Sequence, residues 1–382
     1  MNELRRIIHA EAAASGGIRF DRFMALALYC PECGFYERDE DRVGRRGDFH
    51  TSVSVGPLLG ELLAFQTRRW WQSSGAARLR FLEAGAHGGQ LAGDILHWWK
   101  QQHPNEAGDV CYTLLEPSPR REAWQRSRLG DWGRQVEWWR DWPATPTDEF
   151  TVILSNELLD ALPLRRFGWD AGTRCWFEWG VTGGPERFAW TRLALTGSPA
   201  DLDLPAAPEL LAVLPDGFTV ERNLAAETWW TRAAGWLRHG RLLTLDYGDW
   251  PATALQPERP NGTLRAYRRH QAAADVLADP GEQDLTAHVD FRRLAAAGER
   301  AGLMTEEFAP QGRWLARRGA AAMQAGGEFG EWTPTRRRQL QTLAHPDHFG
   351  RRFQVLVQTR HGEQEPSKQE PPPPTPNLDR PD

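Results

Sequence analysis

Lysine is nearly missing from this chain. Only Lys100 and Lys368 occur, and every other basic residue is arginine. Lysine and arginine together number 46 against 51 acidic residues, a formal net charge of −5. An acidic total offers no sequence-independent attraction to nucleic acid, so the arginines are expected in salt bridges and local sites. Cysteine is scarce too: four in 382 residues do not make a disulfide framework. Long apolar runs are absent. The longest near the start, Phe23 to Cys30, is too short to span a membrane. The opening "MNELRRIIHAEAAASGG" lacks the continuous apolar segment of a secretory signal. These absences lead to the expectation of a cytoplasmic protein with reduced thiols, and there is no internal repeat.

What is present suits a large core. Hydrophobic residues make up 40% of the chain, enough for one enlarged domain or two. Tryptophan occurs 19 times, with pairs at Trp70-Trp71, Trp98-Trp99, Trp138-Trp139 and Trp229-Trp230. No basic run interleaves with them, so they read as packing residues rather than stacking platforms. Residues 1–75 look mainly helical, broken by "ERDEDRVGRRGDFHTS". From Leu79 short apolar strands alternate with helical patterns. "LRFLEA", "VCYTLLE", "FTVILS" and "RLLTLDYG" are the strands, and the alternation predicts βαβ units around a largely parallel sheet. Between Pro163 and Leu195, "LRRFGWD", "RCWFEWGV" and "RFAWTRLAL" read as an antiparallel insertion. Trp250 to Asp284 is irregular in texture, and "AHVDFRRLAAAGERAGL" has helical spacing. "RRFQVLVQTR" is a strand suited to close the sheet antiparallel to the rest. The expected organisation is a helical N-terminal region with a lid loop (1–75), one sheet domain (76–360) with insertions at 164–195 and 250–286, and a disordered proline-rich tail (361–382).

"RFLEAGAHGGQLAGDIL" joins a buried strand to a helix through glycines. The dinucleotide fingerprint G-x-G-x-x-G fails at two of its glycines, because His87 and Gln90 occupy them. The acidic-x-G-x-G-x-G turn of S-adenosylmethionine sites gives Glu83, Gly85, His87 and Gly89, with one glycine failing. The second template fits better; a plain strand-to-helix connection is the alternative. The next strand ends at Glu116, placed to accept both hydroxyls of a ribose. The third ends "LSNELLDALPLRRF", clustering Asn156, Glu157 and Asp160 just past a buried strand, at the sheet edge where ligands sit.

With these residues the chain resembles the MidA-like methyltransferases, a family that includes the mitochondrial complex I assembly arginine methyltransferase. The resemblance spans residues 18–360 and is carried by "ALYCPECGFY", "GDFHTSVSVGPLLGELLA", "LEAGAHGGQLAGDIL", "SNELLDALPLRRF", "LLTLDYG", "NGTLRAYRRHQ", "PGEQDLTAHVDF" and "FGRRFQVLVQ". It implies an α/β, Rossmann-like class I methyltransferase sheet using S-adenosyl-L-methionine. It also implies a protein acceptor, an arginine of a respiratory complex I subunit in the family's best-understood member. Neither nucleic acid nor membrane is an expected partner. The family usually has glycine at the position of His87, so His87→Gly is expected to strengthen cofactor binding. "CPEC" at Cys30 to Cys33 lacks the second pair that a zinc site wants, and no metal is expected.

The residue roles follow. Gly85, His87, Gly89, Glu116 and Asn156 form the expected cofactor set, with Glu83 bracing the turn. A guanidinium is cationic and poorly nucleophilic, so carboxylates must hold its planar fork. Glu157 is the first choice, supported by Asp160 and Asp246. Asp48 to Ser52 is an expected lid near the cofactor. Arg265 and His288 lie in family-like motifs without assigned chemistry. Two rival readings share this scaffold: a non-catalytic assembly or binding protein, which His87 favours, and a small-molecule methyltransferase, for which the insertions offer a closed pocket.

Overall fold

The computed structural model describes residues 3–38, 51–184, 186–251, 253–268 and 271–361. The proline-rich tail beyond His361, and Asp48 to His50 of the expected lid, lie outside the described residues.

Strands Leu79–Ala84, Val110–Leu115 and Phe150–Asn156 are buried at every position. Continuous apolar strands of this kind belong in the middle of a parallel sheet covered on both faces. Leu79–Ala84 pairs in parallel with Val110–Leu115 on one side and with Phe150–Asn156 on the other. The sheet runs on through Val136–Trp139 at one edge and Gly240–Asp249 at the other. Phe353–Arg360 then pairs antiparallel with Gly240–Asp249, as its sequence predicts, and with Met304–Pro310 outside it. The chain winds outward from Leu79–Ala84 in one direction, then returns to build the other half. The order therefore reverses between Leu79–Ala84 and Phe150–Asn156. In sheets of this kind, such a switch point at the carboxyl ends of the strands is where a ligand crevice forms.

A second sheet holds the expected antiparallel strands Arg165–Asp170, Cys175–Gly184 and Arg187–Leu193. It also recruits two segments the sequence reading did not place, Ile18–Arg19 and Thr219–Arg222. The helices Glu3–Ser15 and Phe20–Tyr29 bury Leu4, Ile8, Phe20 and Phe23 against its Val181 and Phe188. Helix Leu58–Ser74 belongs to a different core, where Leu59, Leu63 and Phe65 pack with Phe81, Trp98 and Trp99 of the central sheet and its covering helix. One expectation is corrected. The irregular texture of 250–286 conceals a small sheet, Arg265–Arg268 between Gln271–Ala272 and Asp284–Thr286. Strands of two to four residues are too short to show alternation.

The tryptophans pack. Trp98, Trp99, Trp230 and Trp314 are fully buried, and the indole N–H groups of Trp98 and Trp230 donate to the Phe329 carbonyl and Gln358 Oε1. Among the described residues no helix is long and apolar enough to cross a membrane.

Candidate active site

The crevice starts at the glycine turn. Gly85 (φ +75°) and Gly89 (φ +76°) are both left-handed, and Gly89 opens the helix Gln90–Gln102. A Cβ at Gly85 would sit 3.0 Å from the Leu158 side chain, and one at Gly89 would sit 3.0 Å from Leu129. Conformation and space both demand glycine at these two positions. His87 is left-handed as well, at φ 48°. Its carbonyl accepts from Gln125 Nε2 at 2.9 Å, and its ring meets Trp124 edge-on at 6.1 Å. Burial, with the guanidinium groups of Arg121 and Arg128, pushes its pKa down to about 3, so the imidazole is neutral at pH 7.

The packing of the ring on Trp124 sets a contact against the crowding expectation. His87→Gly relieves about 1–2 kcal/mol of left-handed strain but gives up an aromatic contact of about 0.5–1.5 kcal/mol. The two nearly cancel. Unfolding free energy should change by no more than about 1 kcal/mol, and calorimetric affinity for S-adenosylhomocysteine should stay within about threefold. A tenfold loss of affinity would show instead that the ring itself meets the ligand, and a tenfold gain that it crowds the turn.

Glu116 ends the strand path opposite the turn. Its carboxylate accepts from the Ser118 N–H at 2.9 Å and from Gln125 Nε2 at 2.8 Å, and burial raises its pKa. Gln125 Oε1 accepts from Trp138 Nε1 in turn. This one fully buried glutamine thus clamps the glycine turn to Glu116. Its helix starts at Ser118, whose hydroxyl caps the Arg121 N–H, with Pro119 in the first turn. The sequence reading missed Gln125; a glutamine on the inward face of an arginine-rich helix was the available signal. Glu83 lies just below the turn. Its carboxylate accepts from the Tyr112 hydroxyl at 2.7 Å, and burial raises its pKa to about 7.

Across the crevice, Phe150–Asn156 runs into Glu157, again left-handed at φ 52°. A non-glycine residue held there marks stored strain at a loop the fold over-determines. Glu157 Oε1 accepts from the Ser52 N–H at 2.8 Å and from Asn156 Nδ2 at 3.2 Å. Ser52 of the expected lid therefore reaches the carboxylate rather than the glycine turn. Asn156 Oδ1 is buried and accepts nothing from the described residues. Burial, with Asp246 nearby, lifts the Glu157 pKa to about 7. Asp246 is fully buried, and its carboxylate is occupied by backbone: Oδ2 accepts from the N–H groups of Leu158 (3.1 Å) and Leu159 (2.7 Å), and Oδ1 from that of Tyr247 (2.7 Å). It staples the loop that carries Glu157 and Asp160. Asp160 is half-buried, and burial with the charges of Asp246, Asp284 and Glu157 raises its pKa well above the ordinary value.

The fold adds residues that the sequence reading did not name. Asp284 is buried here and accepts from the Tyr36 hydroxyl at 2.7 Å. Tyr36 stacks on Tyr29 with centroids 5.5 Å apart, and the Tyr29 hydroxyl donates to the Ala161 carbonyl at 3.0 Å. Tyr267 sits opposite Asp284 in the small sheet, and Tyr247 follows Asp246. The chain has only five tyrosines, and the stacked pair Tyr29 and Tyr36 stands at this acidic cluster. That scarcity beside 19 tryptophans was the signal to follow. His288 packs behind the cluster: its ring lies 4.6 Å from Tyr247, and its Nδ1 accepts from Arg259 at 3.0 Å. Arg265 donates to the Leu264 carbonyl beside it. Cys30 and Cys33 are adjacent free thiols. Burial and Cys30 push the Cys33 pKa up to about 12, so the thiolate needed for exchange or metal binding is scarce. Among the described residues no metal-ligating cluster occurs.

A glycine turn, a strand-end glutamate and a buried amide oxygen that accepts nothing from the described residues, all at the sheet's switch point, fit a nucleoside cofactor. Carboxylates on the far wall suit a cationic centre. These features define a class I, Rossmann-like methyltransferase. Residues 62–309 match the model of the family described as "Putative S-adenosyl-L-methionine-dependent methyltransferase", and the chain belongs to that family. It is 28% identical over 322 residues to the rat protein arginine methyltransferase NDUFAF7, mitochondrial, covering 76% of this chain and 69% of that protein. The human protein of the same name is also 28% identical, with 76% and 68% covered. A solved superfamily member from Burkholderia thailandensis, bound to S-adenosyl-homocysteine, superposes with a TM-score of 0.80 at 28% identity, covering 94% of this chain and 92% of that one. The cofactor of this chain is S-adenosylmethionine.

Proposed function

We propose that this methyltransferase modifies an arginine of a protein partner and that Glu157 grips the guanidinium. The observation that carries the reading is the setting of Glu157. It stands at the switch point on a constrained backbone, and its Oε1 accepts from the Ser52 N–H and from Asn156 Nδ2. The similar curated proteins are named arginine methyltransferases, which supports this substrate class.

In this reading the turn from Gly85 through His87 to Gly89 holds the cofactor together with Glu116 and Asn156. Glu116 receives ribose hydroxyls, and Glu83 braces the turn. Bound S-adenosylmethionine supplies a methyl group already activated on a sulfonium. The residues around it therefore serve mainly to align the acceptor. Asp246 acts as a positioning residue, because its carboxylate is committed to backbone N–H groups. A respiratory complex I subunit is the first protein partner to assay, and a cytoplasmic location is retained within the proposal, although the named relatives are mitochondrial.

Incubation with labelled S-adenosylmethionine and arginine-containing peptides, read by mass spectrometry, should place the methyl group on arginine. The pH profile supplies a second check. Glu157 must be ionised to hold a cation, and its raised pKa of about 7 leaves it largely protonated below that value. With subsaturating peptide the rate should therefore rise as pH increases through about 7 and level off above it. Methyl found on another residue, or a profile that falls across this window, would overturn the assignment.

A further inference from the structure

The helix Pro119–Leu129 touches the glycine turn along one face. Arg128 and Leu129 follow Gln125 at three and four positions, so the three side chains lie together. Arg128 Nε donates to the Gly88 carbonyl at 2.8 Å, and Leu129 fills the space that a Cβ at Gly89 would need. Gln125 is fully buried and spends both ends of its amide. An indole N–H can only donate, so the bond from Trp138 Nε1 at 3.1 Å fixes Oε1 on that side. Nε2 is then committed to the His87 carbonyl at 2.9 Å and to Glu116 Oε2 at 2.8 Å. The amide therefore has one orientation. An ionised carboxylate such as Glu116 accepts about four hydrogen bonds. The Ser118 N–H takes one position on Oε1 and Gln125 takes one on Oε2, so each oxygen keeps capacity for a further donor. Burial by itself favours the neutral acid, and these two donors oppose it. Ser118 is only two residues from Glu116 and constrains it locally; Gln125 is the partner that joins it to the turn.

We propose that Gln125 is a positioning residue for cofactor recognition: it aims the Glu116 carboxylate at the ribose hydroxyls and, through the His87 carbonyl, sets its distance from the turn. This rests on the assignment of Glu116 to the ribose made above, and it makes the preference for a hydroxyl-bearing ribose depend on both residues. The physical reason is preorganisation. A carboxylate at the end of a strand can rotate about its side-chain bonds, and a hydrogen bond to a mobile acceptor repays part of its energy in ordering. With Gln125 in place that ordering is complete before the cofactor arrives. Without it, Glu116 Oε2 and the His87 carbonyl both lose a donor, and the carboxylate is free to turn or to take up a proton.

The test is calorimetric titration of the full-length protein with S-adenosylhomocysteine and with its 2′,3′-dideoxy analogue. Wild type should bind the analogue about ten- to a hundredfold more weakly, the worth of hydrogen bonds to a charged group. Gln125→Met keeps the length of the side chain and removes the amide. The gap between the two ligands should shrink in this variant to about threefold or less, because S-adenosylhomocysteine loses affinity and the analogue loses little. A purely structural role would weaken both ligands in proportion and leave the gap as it was. Trp138→Phe keeps an aromatic ring and removes only the N–H that orients the amide, so the gap should shrink partway. That variant decides the question should Gln125→Met fail to fold. A gap that stays at the wild-type size or widens in the folded variants would overturn the role of Gln125 while leaving Glu116 on the ribose. Equal binding of the two ligands by wild type would overturn the ribose assignment of Glu116, and the inference with it.

Discussion

Glu157→Gln should nearly abolish methyl transfer to an arginine peptide while leaving the affinity for S-adenosylhomocysteine within a few-fold. The substitution is narrow. Glutamine keeps the length of the side chain and an oxygen able to accept from the Ser52 N–H. It tolerates the left-handed backbone at position 157 no better and no worse than glutamate, so folding is a minor variable. What disappears is the charge that holds the guanidinium and aligns its nitrogen. A charge-assisted pair of this kind in a desolvated site is worth about 3 kcal/mol or more in the transition state, a rate loss above ~100-fold. Single-turnover transfer, with wild type as reference, measures it. Because cofactor affinity should survive, the loss belongs to the acceptor step. Wild-type-like turnover in this variant would remove Glu157 from the site and the arginine assignment with it.

Asp246→Ala should cost stability first and activity as a consequence. The Asp246 carboxylate is fully buried and satisfies the N–H groups of Leu158, Leu159 and Tyr247. Alanine leaves three backbone donors without their acceptor, at about 1–3 kcal/mol each. Part of that is offset, because burial already disfavours the charged carboxylate, as its pKa raised to about 6 indicates. A net loss of about 3 kcal/mol or more is expected, seen as a lower denaturation midpoint with an unchanged slope. Asp246→Asn retains one acceptor oxygen and should lose less. In either variant the loop from Glu157 to Asp160 loosens, so turnover should fall further than cofactor affinity does. A loss below about 1 kcal/mol in Asp246→Ala would mean that water or relaxation satisfies those amides and that the staple is dispensable.

The amino-acid sequence by itself determined the frame of the site. Apolar runs such as Leu79–Ala84 and Phe150–Asn156 are strands because each is short, continuous and bounded by turn residues. Gly85 and Gly89 mark the turn because the backbone there needs φ values that side chains resist. The strand ends deliver Glu116, Asn156 and Glu157 to one edge because parallel strands share a direction. All of this is local, or follows from handedness and alternation, and it is legible without the fold.

The tertiary structure alone decided what those residues face. Ser52 and Glu157 are 105 positions apart, and Tyr36 and Asp284 are 248 apart. No periodicity or spacing encodes such pairs; only closure of the N-terminal helices and the small sheet onto the crevice creates them. The same closure brought the buried Asp246 carboxylate to backbone N–H groups that must be satisfied. It made Gln125 the clamp between the glycine turn and Glu116. It also directed the His87 ring onto Trp124, an orientation that a missing glycine in a motif does not specify. Identity and order along the chain fix which groups reach the sheet edge. Desolvation and hydrogen-bond satisfaction, which exist only after packing, fix which of them remain available to a substrate.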